Sequence, residues 1–494
     1  MGQKPDIVVV GAGNAAICAA LAARESGANV LVMERAPEQE KGGNTSYTAG
    51  AMRFVYNGVD DLRAIMPDLN DAEIANADFG TYTREDFYDD MGRVTQYRSD
   101  PDLTEILIEN SYPTIKWMQH QGVRFLPMYG RQAYKIDGKF KFWGGLTVEA
   151  WGGGPGLIEN LHKAAEKAGI SILCDCRALS LDVDDDGINS IIVKHHGKTE
   201  SIACKAVVLA CGGFEANSEW RTRYLGPGWE LAKVRGTRFN TGDGIRMGLE
   251  AGAASYGHWS GCHAVGWDRN APEFGDLSIG DGFQKHSYPL GVMINALGKR
   301  FVDEGADFRN YTYAKYGREV LNQPQQFAWQ IFDSKVVDLL RDEYRIREVT
   351  KVEADSLEQL VAKLEGVDAL SCLQTLKEYN AAVQTGNPFN PAVKDARGTQ
   401  GLAINKTNWA NPLDAPPYVA YQITCGITFT FGGLRINQYA EVNNQDEGII
   451  PGLFAAGELV GGLFYFNYPG GTGLTSGAVF GKIAGERAAK YVGA

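Results

Sequence analysis

An α/β fold is predicted by three features of this 494-residue sequence. Near the start of the chain, a strand-like apolar run is followed by a glycine-rich turn and a helix. Two further apolar runs with glycines, "AVVLACGGF" and "GIIPGLFAAGELVGG", lie far along the chain, and much of the part between them is rich in aromatic and charged residues. We therefore predict a Rossmann-like nucleotide-binding domain in two parts, residues 1–255 and 411–494, with an α+β capping (substrate) domain inserted at 256–410.

The first predicted element is a βαβ unit. The run Ile7–Val10 is unbroken and β-branched, as in a parallel strand that is buried on both faces. A G-x-G-x-x-A motif then begins at Gly11 and opens a helix, and a second strand over 29–33 leads to Glu34. Gly11 and Gly13 allow a pyrophosphate to approach the helix N-terminus, and the Glu34 carboxylate accepts hydrogen bonds from a ribose. The unit predicts a dinucleotide site.

The remaining elements follow from periodicity and turn chemistry. Helices are predicted over Leu103–His120 and Gly473–Val492, and a strand over Ser171–Cys174. In the inserted part, Ser356 and Gln359 predict a capping box at the start of a further helix.

Charge and composition exclude several classes of protein. The net charge is −12 and there is no arginine- or lysine-rich run, which argues against nucleic acid or an anionic membrane as a partner. No segment approaches the roughly 18 apolar residues of a membrane span. The eight cysteines lack the spacing of a disulfide framework or a metal site, so we expect reduced thiols, no metal and a cytoplasmic protein.

Several separated stretches resemble one superfamily. The N-terminal βαβ unit, "GGN", "VVLACGGF" and "GLFAAGE" with its closing helix are similar to the succinate dehydrogenase/fumarate reductase flavoprotein superfamily, over essentially the whole chain. Within it, "VRGTRFNTGDGIRMGLEAG", "GKRFVDEGADFRNYTYAKYGRE", "CGITFTFGGLRIN" and "FNYPGGTGLTSGAVFGKIAGE" resemble FAD-dependent tricarballylate dehydrogenase-like proteins. The resemblance implies an FAD cofactor.

FAD also fits the residues themselves. The dinucleotide turn holds the ADP half, while Glu458 and the helix that starts near Gly473 form a slot for the ring and favour its reduced, anionic form. Covalent members of the superfamily carry a histidine in an "S-H-T" piece, whereas this chain has Tyr47 there, so we expect non-covalent FAD. The cofactor-binding residues predicted by the motif and implied by the resemblance are Gly11, Gly13, Asn14, Ala15, Glu34, Arg35, Gly42, Gly43, Asn44, Thr45, Ser46, Ala178, Ala210, Gly212, Gly457, Glu458, Gly473 and Leu474.

The resemblance implies hydride transfer between flavin N5 and a carbon beside a carbonyl or carboxylate, with proton transfer at the neighbouring carbon. Fumarate reductases use an arginine a few residues after an "R-F-x-x-E" piece, and Arg309 takes that place here. A guanidinium is a poor base, so a proton relay through Asp303, Glu304 or Asp307 is expected. The alternative is a structural salt bridge between Arg309 and these acids.

The substrate side departs from fumarate reductases. The histidine that precedes their "T-x-G-G" turn is absent from the segment 428–433, and Tyr468 replaces an arginine clamp. A tyrosine cannot grip a carboxylate bidentately, and Tyr468 with Gly471 resembles 3-ketosteroid dehydrogenases, where such a tyrosine assists enolisation of a ketone. Tyr468 is therefore expected to be catalytic beside Arg309. The predicted substrate residues are Arg53, His263, Gln284, His286, Thr430 and Tyr468, with Lys285 as a further cationic candidate.

The predicted protein is an FAD-dependent dehydrogenase or desaturase. It would oxidise a C–C bond next to a carboxylate or ketone to C=C, with a tricarballylate-like polycarboxylate as the first candidate substrate. The reverse reaction, in a fumarate reductase-like or 3-ketosteroid dehydrogenase-like enoate or enone oxidoreductase, is the alternative. The sequence has no cysteine-rich cluster or haem motif, so an external electron acceptor or donor is expected. A flavoprotein of RNA modification, which the acidic charge disfavours, and an electron-shuttling subunit also stay open.

Overall fold

In a computed structural model, which describes residues 4–494, helices and strands alternate along the chain. The helices are α1 Asn14–Glu25, α2 Val59–Ile65, α3 Asp71–Asn76, α4 Arg84–Thr95, α5 Pro101–His120, α6 Tyr129–Gln132, α7 Gly153–Lys167, α8 Ser218–Trp220, α9 Asp243–Glu250, α10 Tyr313–Leu321, α11 Ser334–Val337, α12 Leu357–Lys363, α13 Ala369–Ala382 and α14 Thr472–Val492. The strands are β1 Ile7–Val10, β2 Val30–Met33, β3 Ala51–Met52, β4 Ala77–Asp78, β5 Phe125–Pro127, β6 Ala133–Ile136, β7 Lys139–Phe142, β8 Val148–Ala150, β9 Ser171–Leu173, β10 Cys176–Asp184, β11 Gly187–His195, β12 Lys198–Ala203, β13 Ala206–Leu209, β14 Lys233–Val234, β15 Ser255–Asp268, β16 Val292–Asn295, β17 Ala328–Phe332, β18 Lys351–Ala354, β19 Tyr418–Leu434, β20 Glu441–Asn443 and β21 Ile449–Ala455.

A six-stranded sheet forms the nucleotide-binding part, in the strand order β20-β21-β13-β1-β2-β9. The pairs within β21-β13-β1-β2-β9 are parallel, and β20 pairs with β21 in the antiparallel sense. All residues of β1 and β13 are buried, as expected for apolar parallel strands that are covered on both faces. Strands from remote parts of the chain lie side by side, which confirms the predicted Rossmann-like domain in two parts.

Helices α1 and α14 pack together through small residues. Three glycines of α14, spaced four residues apart, face the backbone of Ala15 and Ala19; they are Gly477, Gly481 and Gly485. A Cβ at Gly481 would lie 2.3 Å from the carbonyl oxygen of Ala15, so the two helix backbones are in direct contact. This contact brings the N-terminal turns of both helices to the same region of the molecule.

The second sheet is built on the 17-residue strand β19, which is buried along nearly all of its length. It pairs in parallel with β14 and in the antiparallel sense with β15, β17 and β18, and β16 joins the edge of β17. The sheet crosses the predicted domain boundaries, because β14 lies before residue 255 and β19 after residue 411. The division into 1–255, 256–410 and 411–494 stays a prediction. These pairings suggest that its boundaries should be moved, because β14 and β19 belong to the same sheet as strands of the inserted part.

Three smaller sheets complete the fold. An antiparallel sheet is formed by β10, β11 and β12, and two further sheets have the strand orders β3-β8-β5 and β4-β7-β6. The last two position the loop that carries Trp143 and Gly144 between α6 and α7.

Predicted elements and observed elements differ only at their ends. The helix expected at Leu103 begins at Pro101, because Asp100 caps it, and the closing helix begins one residue early, at Thr472. The capping box predicted at Ser356 is half formed: its side chain accepts the N–H of Gln359 (3.2 Å), and the described contacts of this helix lack the reciprocal bond.

Two features of residues 4–494 bear on metal ions and membranes. In this part of the chain no helix is both long and apolar enough to cross a bilayer. The same residues contain no group of three His, Cys, Asp or Glu side chains placed to hold a metal ion.

Candidate cofactor and active site

A cavity opens at the carboxyl ends of the parallel strands. Gly11, Glu34 and Ala210 directly follow β1, β2 and β13, Gly457 lies just beyond β21, and all four residues line the cavity. The cavity encloses about 1840 Å³, part of it open to solvent, and it reaches side chains of the inserted part. The lining runs from the strand ends of the first sheet to residues of the inserted part, so a dinucleotide site and a substrate site can lie side by side in it.

The turn after β1 is shaped for a pyrophosphate. Gly11 has a φ of +108°, and a Cβ there would lie 2.4 Å from the carbonyl oxygen of Ala210. Gly13 caps α1 without a side-chain hydrogen bond, and the N–H of Asn14 donates to Oγ1 of Thr45 (3.2 Å). A helix N-terminus without a side-chain cap attracts phosphate through its free N–H groups and its dipole.

Glu34 is held at the end of β2 by the backbone. Its Oε2 accepts the N–H of Ala12 (3.0 Å) and its Oε1 accepts that of Ala36 (2.8 Å). Burial raises the pKa of the Glu34 carboxyl, and these N–H groups oppose the shift. Each carboxylate oxygen keeps a lone pair for a ribose hydroxyl. The neighbouring Arg35 lines the cavity in an ion pair with Asp243 (3.0 Å).

The start of α14 forms another wall of the cavity. Its N-cap, Gly471, has no side-chain hydrogen bond, and Gly473 and Leu474 line the cavity. The side-chain amide of Asn14 donates to the carbonyl of Leu474 (2.8 Å), which joins the N-terminal turns of the two helices. A phosphate-binding turn, a ribose acceptor and a second positive helix end for an electron-rich ring all converge here, so these residues fit FAD.

Two carboxyl groups, those of the buried Glu215 and the partly buried Glu458, meet beside this wall. Oε1 of Glu215 accepts hydrogen bonds from the amides of Asn44 (2.6 Å) and Asn240 (2.7 Å), and Oε1 of Glu458 accepts the N–H of Thr430 (2.9 Å). Burial raises the pKa of both carboxyls, and Glu215 raises that of Glu458 further. The pair therefore binds a proton more readily than two exposed carboxyl groups would. Because Thr430 is bound to Glu458, it belongs to the cofactor side of the cavity.

Four arginines line the side of the cavity that faces the second sheet, and we call them the arginine cluster: Arg131, Arg235, Arg309 and Arg341. Asp281 binds two of them, with contacts of 2.6 Å to Arg235 and 2.7 Å to Arg131. Although burial opposes it, these two guanidinium groups hold the pKa of Asp281 below its usual value. Gln284 also donates a hydrogen bond to Asp281.

Arg309 reaches the cavity without an ion-pair partner among the described residues. Its Nη2 donates to the carbonyl of Arg131 (2.9 Å), its guanidinium lies 5.4 Å from the ring centre of Trp143, and its Nε has no hydrogen-bond partner. Burial, and then the positive charge of Arg341, lower the pKa of Arg309 to about 9. This guanidinium is therefore easier to deprotonate than an exposed one.

The structure contradicts the expected proton relay from Asp303, Glu304 or Asp307 to Arg309. It also lacks, among the described residues, the alternative salt bridge between Arg309 and these acids. Each acid is bound by another partner: Asp303 by Thr407, Glu304 by Arg300 and Asp307 by Arg93.

Tyr468 belongs to an aromatic wall, which we define as Tyr313, Phe429, Phe431, Phe464 and Tyr468. The hydroxyls of Tyr468 and Tyr313 are hydrogen-bonded to each other. The ring of Tyr468 meets those of Phe429 and Phe464 edge-on, at 5.2 and 5.4 Å between ring centres. Burial raises the pKa of both phenols, so they stay protonated and can donate hydrogen bonds.

His263 and His286 connect the aromatic wall with the arginine cluster. Their ring centres lie 4.9 and 4.8 Å from that of Tyr313. Each is only 1% exposed, and none of their four ring nitrogens has a hydrogen-bond partner. Burial lowers the pKa of both well below the usual value, so both imidazoles are neutral. Buried polar groups without partners are rare in folded proteins, so we expect a ligand to bond to them.

Most predicted site residues converge on this cavity. On the cofactor side they are Gly11, Gly13, Asn14, Ala15, Glu34, Arg35, Gly43, Asn44, Thr45, Ala178, Ala210, Gly212, Gly457, Glu458, Gly473 and Leu474, and on the substrate side His263, Gln284, His286, Arg309 and Tyr468. Thr430, which was expected to contact the substrate, lines the cavity on the cofactor side. Gly42 and Ser46 lie behind the cavity wall instead, where a Cβ at Gly42 would approach Oγ of Ser46 to 2.4 Å.

The predicted substrate contacts of Arg53 and Lys285 are wrong, because both side chains are fully buried and neither lines the cavity. Arg53 donates to the carbonyls of Gly470 (2.8 Å) and Gly144 (3.0 Å), which fastens the loop before α14. Nζ of Lys285 donates to four backbone carbonyls, that of Glu343 at 3.0 Å among them. Buried cations need such partners, and these side chains are not free for a substrate.

The cavity residues that the motifs do not predict include Arg131, Arg235, Asp281, Tyr313 and Arg341. Tyr313 follows Arg309 by four residues, about one helical turn, and this spacing could have revealed it. Arg131 and Arg341 lie outside the quoted motifs, and Arg235 lies within "VRGTRFNTGDGIRMGLEAG", where no spacing connects it to the other two arginines.

A split nucleotide-binding domain with a dinucleotide cavity, closed by ionisable groups from a second sheet, defines a flavin-dependent oxidoreductase. The family described as "FAD binding domain" matches residues 6–474. The chain belongs to this family, within the succinate dehydrogenase/fumarate reductase flavoprotein superfamily.

Individual relatives agree with this assignment. A probable fumarate reductase of Shewanella frigidimarina (strain NCIMB 400) is 31% identical over 495 residues, which cover 99% of this chain and 75% of that protein. A vinyl phenol reductase of Lactiplantibacillus plantarum is 26% identical over 520 residues, covering 98% and 96%. The open conformation of a flavocytochrome c3 fumarate reductase has a TM-score of 0.73 at 28% identity, covering 100% and 79%. The fold and the FAD cofactor are thereby confirmed, while the finer resemblance to tricarballylate dehydrogenase-like proteins is not shown by these relatives.

Proposed function

We propose that the protein catalyses reversible hydride and proton transfer across a carbon–carbon double bond next to a carboxylate or ketone. The observation that carries this proposal is Arg309, which is buried at the cavity with a lowered pKa and no acidic partner among residues 4–494. A general acid needs a pKa near the working pH and access to the reacting carbon, and the position of Arg309 on the cavity wall supports both.

The chain's own residues have distinct tasks in this proposal. FAD, when bound, supplies two-electron hydride chemistry at N5. Arg309 transfers the proton at the neighbouring carbon, and the phenol of Tyr468 donates a hydrogen bond to the activating carbonyl oxygen. Tyr313 holds that phenol in place through the hydroxyl–hydroxyl contact. Glu34 and the N-terminal turn of α1 hold the dinucleotide.

Reduction of the double bond is the proposed physiological direction. The double bond gains one hydride and one proton, and an external two-electron donor restores the reduced cofactor. The names of the relatives, which are predominantly reductases, favour this direction. The chain spans about three quarters of the probable fumarate reductase, so the identity of the donor is part of the proposal.

Non-covalent binding of FAD is proposed as well. Tyr47 stands where covalent members have a histidine, and its ring packs against Gly275 outside the cavity. Precipitation of the protein with acid should leave the yellow flavin in the supernatant, and flavin retained in the washed pellet would contradict the proposal.

A reducing compartment, the cytoplasm, is proposed as the location. All eight cysteines are unpaired, and six of them are buried. Free buried thiols are typical of proteins that stay reduced.

Oxidation of a tricarballylate-like polycarboxylate is the second candidate function. The arginine cluster favours it, because four guanidinium groups at one cavity suit an acid with several carboxylates.

Anaerobic mixing distinguishes these functions. Reoxidation of the photoreduced enzyme by unsaturated acids or enones, followed at the flavin absorbance maximum, is the expected result. Bleaching of the oxidised enzyme by tricarballylate would favour the second candidate. A flavin that responds to none of these compounds would contradict both.

A further inference from the structure

The arginine cluster carries more positive charge than its surroundings neutralise. Asp281 is bound to Arg131 and Arg235, so its charge already serves two cations. Glu343 faces Arg341, with Oε1 2.8 Å from Nε. Glu149, the other acid nearby, has its pKa raised by burial to about 7 and is only partly ionised at neutral pH. Burying unbalanced charge is costly, which indicates that an anion completes the site.

The unsatisfied donors of the cluster lie on Arg309 and Arg341. Nε and Nη1 of Arg341 and Nε of Arg309 are buried without a hydrogen-bond partner. The contact between Arg341 and Glu343 is close, yet neither Nε nor Oε1 forms a hydrogen bond in it. Arg341 is only 7% exposed, and it lines the cavity with Arg309 and with His286, whose ring nitrogens are free as well.

We propose that Arg341 is the anchor for a carboxylate of the substrate, which binds between Arg341 and Arg309 and accepts a further hydrogen bond from His286. A guanidinium donates charge-assisted hydrogen bonds to a carboxylate. Nη1 of Arg341 has no hydrogen-bond partner among the described residues and can donate one. This inference rests on the proposed function and narrows it, because a ketone would leave the excess positive charge without a counter-ion.

The aromatic wall limits the rest of the substrate. Phe429, Phe431 and Phe464 lie within 6.0 Å of one another, ring centre to ring centre, and line the same cavity. The wall offers phenol hydroxyls and ring faces, and its five members include no cation. The substrate class that matches both sides is an unsaturated acid with a carboxylate at one end and, at the other, a flat and largely apolar substituent that carries the oxygen acceptor for Tyr468.

Binding of benzoate to the oxidised holoenzyme tests the anchor. Benzoate carries one carboxylate on a flat ring, and benzamide has the same shape without the charge. Both can be titrated by the change that they cause in the flavin absorbance. Arg341→Gln should weaken benzoate binding about 10- to 100-fold, the loss expected for a hydrogen bond between charged groups, and leave benzamide binding unchanged. Arg341→Lys should recover part of the loss, because it restores the positive charge but not the planar guanidinium.

Arg345→Gln is the matched control, because Arg345 lies four residues away with a half-exposed side chain (48%) paired to Asp342. It should bind benzoate as the wild type does, and an unchanged visible circular dichroism spectrum of the flavin would show that each variant is folded. Equal benzoate affinity in the wild type and Arg341→Gln would overturn the proposal. The proposal would also fail if Arg341→Gln changed the reduction potential of the flavin and left the benzoate affinity unaltered, because the arginine cluster would then stabilise the reduced flavin instead of the substrate. If benzoate binds through Arg341 while no unsaturated acid reoxidises the enzyme, the anchor stands and the proposed function fails.

Discussion

The two sides of the cavity are built in different ways. On the cofactor side, the ligand meets strand ends, glycine turns and helix N-termini, so backbone atoms do most of the binding. On the substrate side, the cavity wall is made of side chains from segments as remote as α6, which carries Arg131, and the loop before α14, which carries Tyr468. Backbone geometry requires a local motif, whereas a side-chain cluster requires only that the fold bring its members together.

This difference predicts that substitutions on the two sides have separable effects. Changes on the substrate side should alter turnover and leave FAD bound, and changes on the cofactor side should alter FAD affinity and leave the substrate contacts intact.

The largest effect is expected from Arg309→Ala. Loss of the proton-transferring group should lower kcat about 1,000-fold, within the range for a removed general acid, with FAD still bound at full stoichiometry. Stopped-flow reoxidation of the reduced enzyme by an unsaturated acid measures the rate, and Arg345→Ala serves as the control. Turnover within tenfold of the wild type would remove Arg309 from the mechanism.

A smaller effect is expected from Glu34→Gln. The substitution removes a charged acceptor that Ala12 and Ala36 use in the protein and that a ribose uses in the ligand, so FAD should bind about 10- to 100-fold more weakly. Quenching of flavin fluorescence during titration of the apoprotein gives the dissociation constant. Glu38→Gln, at an exposed carboxylate on the same loop, should have no effect. An altered KM at saturating FAD would show that the two sides are coupled.

The phenol pair should contribute about tenfold to the rate. Tyr468→Phe removes the hydrogen bond to the activating carbonyl, and Tyr313→Phe removes only the contact that orients it, so the first variant should lose more in kcat than the second. Tyr465→Phe, at a partly exposed ring nearby, is the control. Equal losses in both variants would mean that the pair acts as a single structural unit.

The smallest effect is a shift in pH dependence. Arg309 must be protonated to donate, and its pKa is about 9 because of burial and Arg341, so kcat/KM should fall above about pH 9. Glu343, Tyr313 and Arg131 also face this group. Removing the like charge in Arg341→Gln should raise the pKa of Arg309 and move this limb to higher pH. If the fall in kcat/KM occurs at the same pH in Arg341→Gln as in the wild type, a group other than Arg309 causes it.

The two sides also differ in how far the sequence could predict them. The turn at Gly11, the acid at Glu34 and the final helix from Gly473 follow from local spacing, and the structure places them within a residue or two of expectation. The role of Arg53 was predicted wrongly, because its burial beneath Gly470 depends on contacts 417 residues apart. Arg341 was missed for the same reason, since only the folded chain reveals its free donors.

The contact between α1 and α14 has a consequence for how the holoenzyme is made. Asn14 and Leu474, which bond to each other at the cavity, are 460 residues apart in the chain. During synthesis, the ribosome completes the phosphate turn long before the last wall exists, so a nascent chain has no closed pocket to retain FAD. Loading of the cofactor therefore coincides with the docking of Thr472–Val492 against the first helix, and a polypeptide truncated before that helix should emerge colourless.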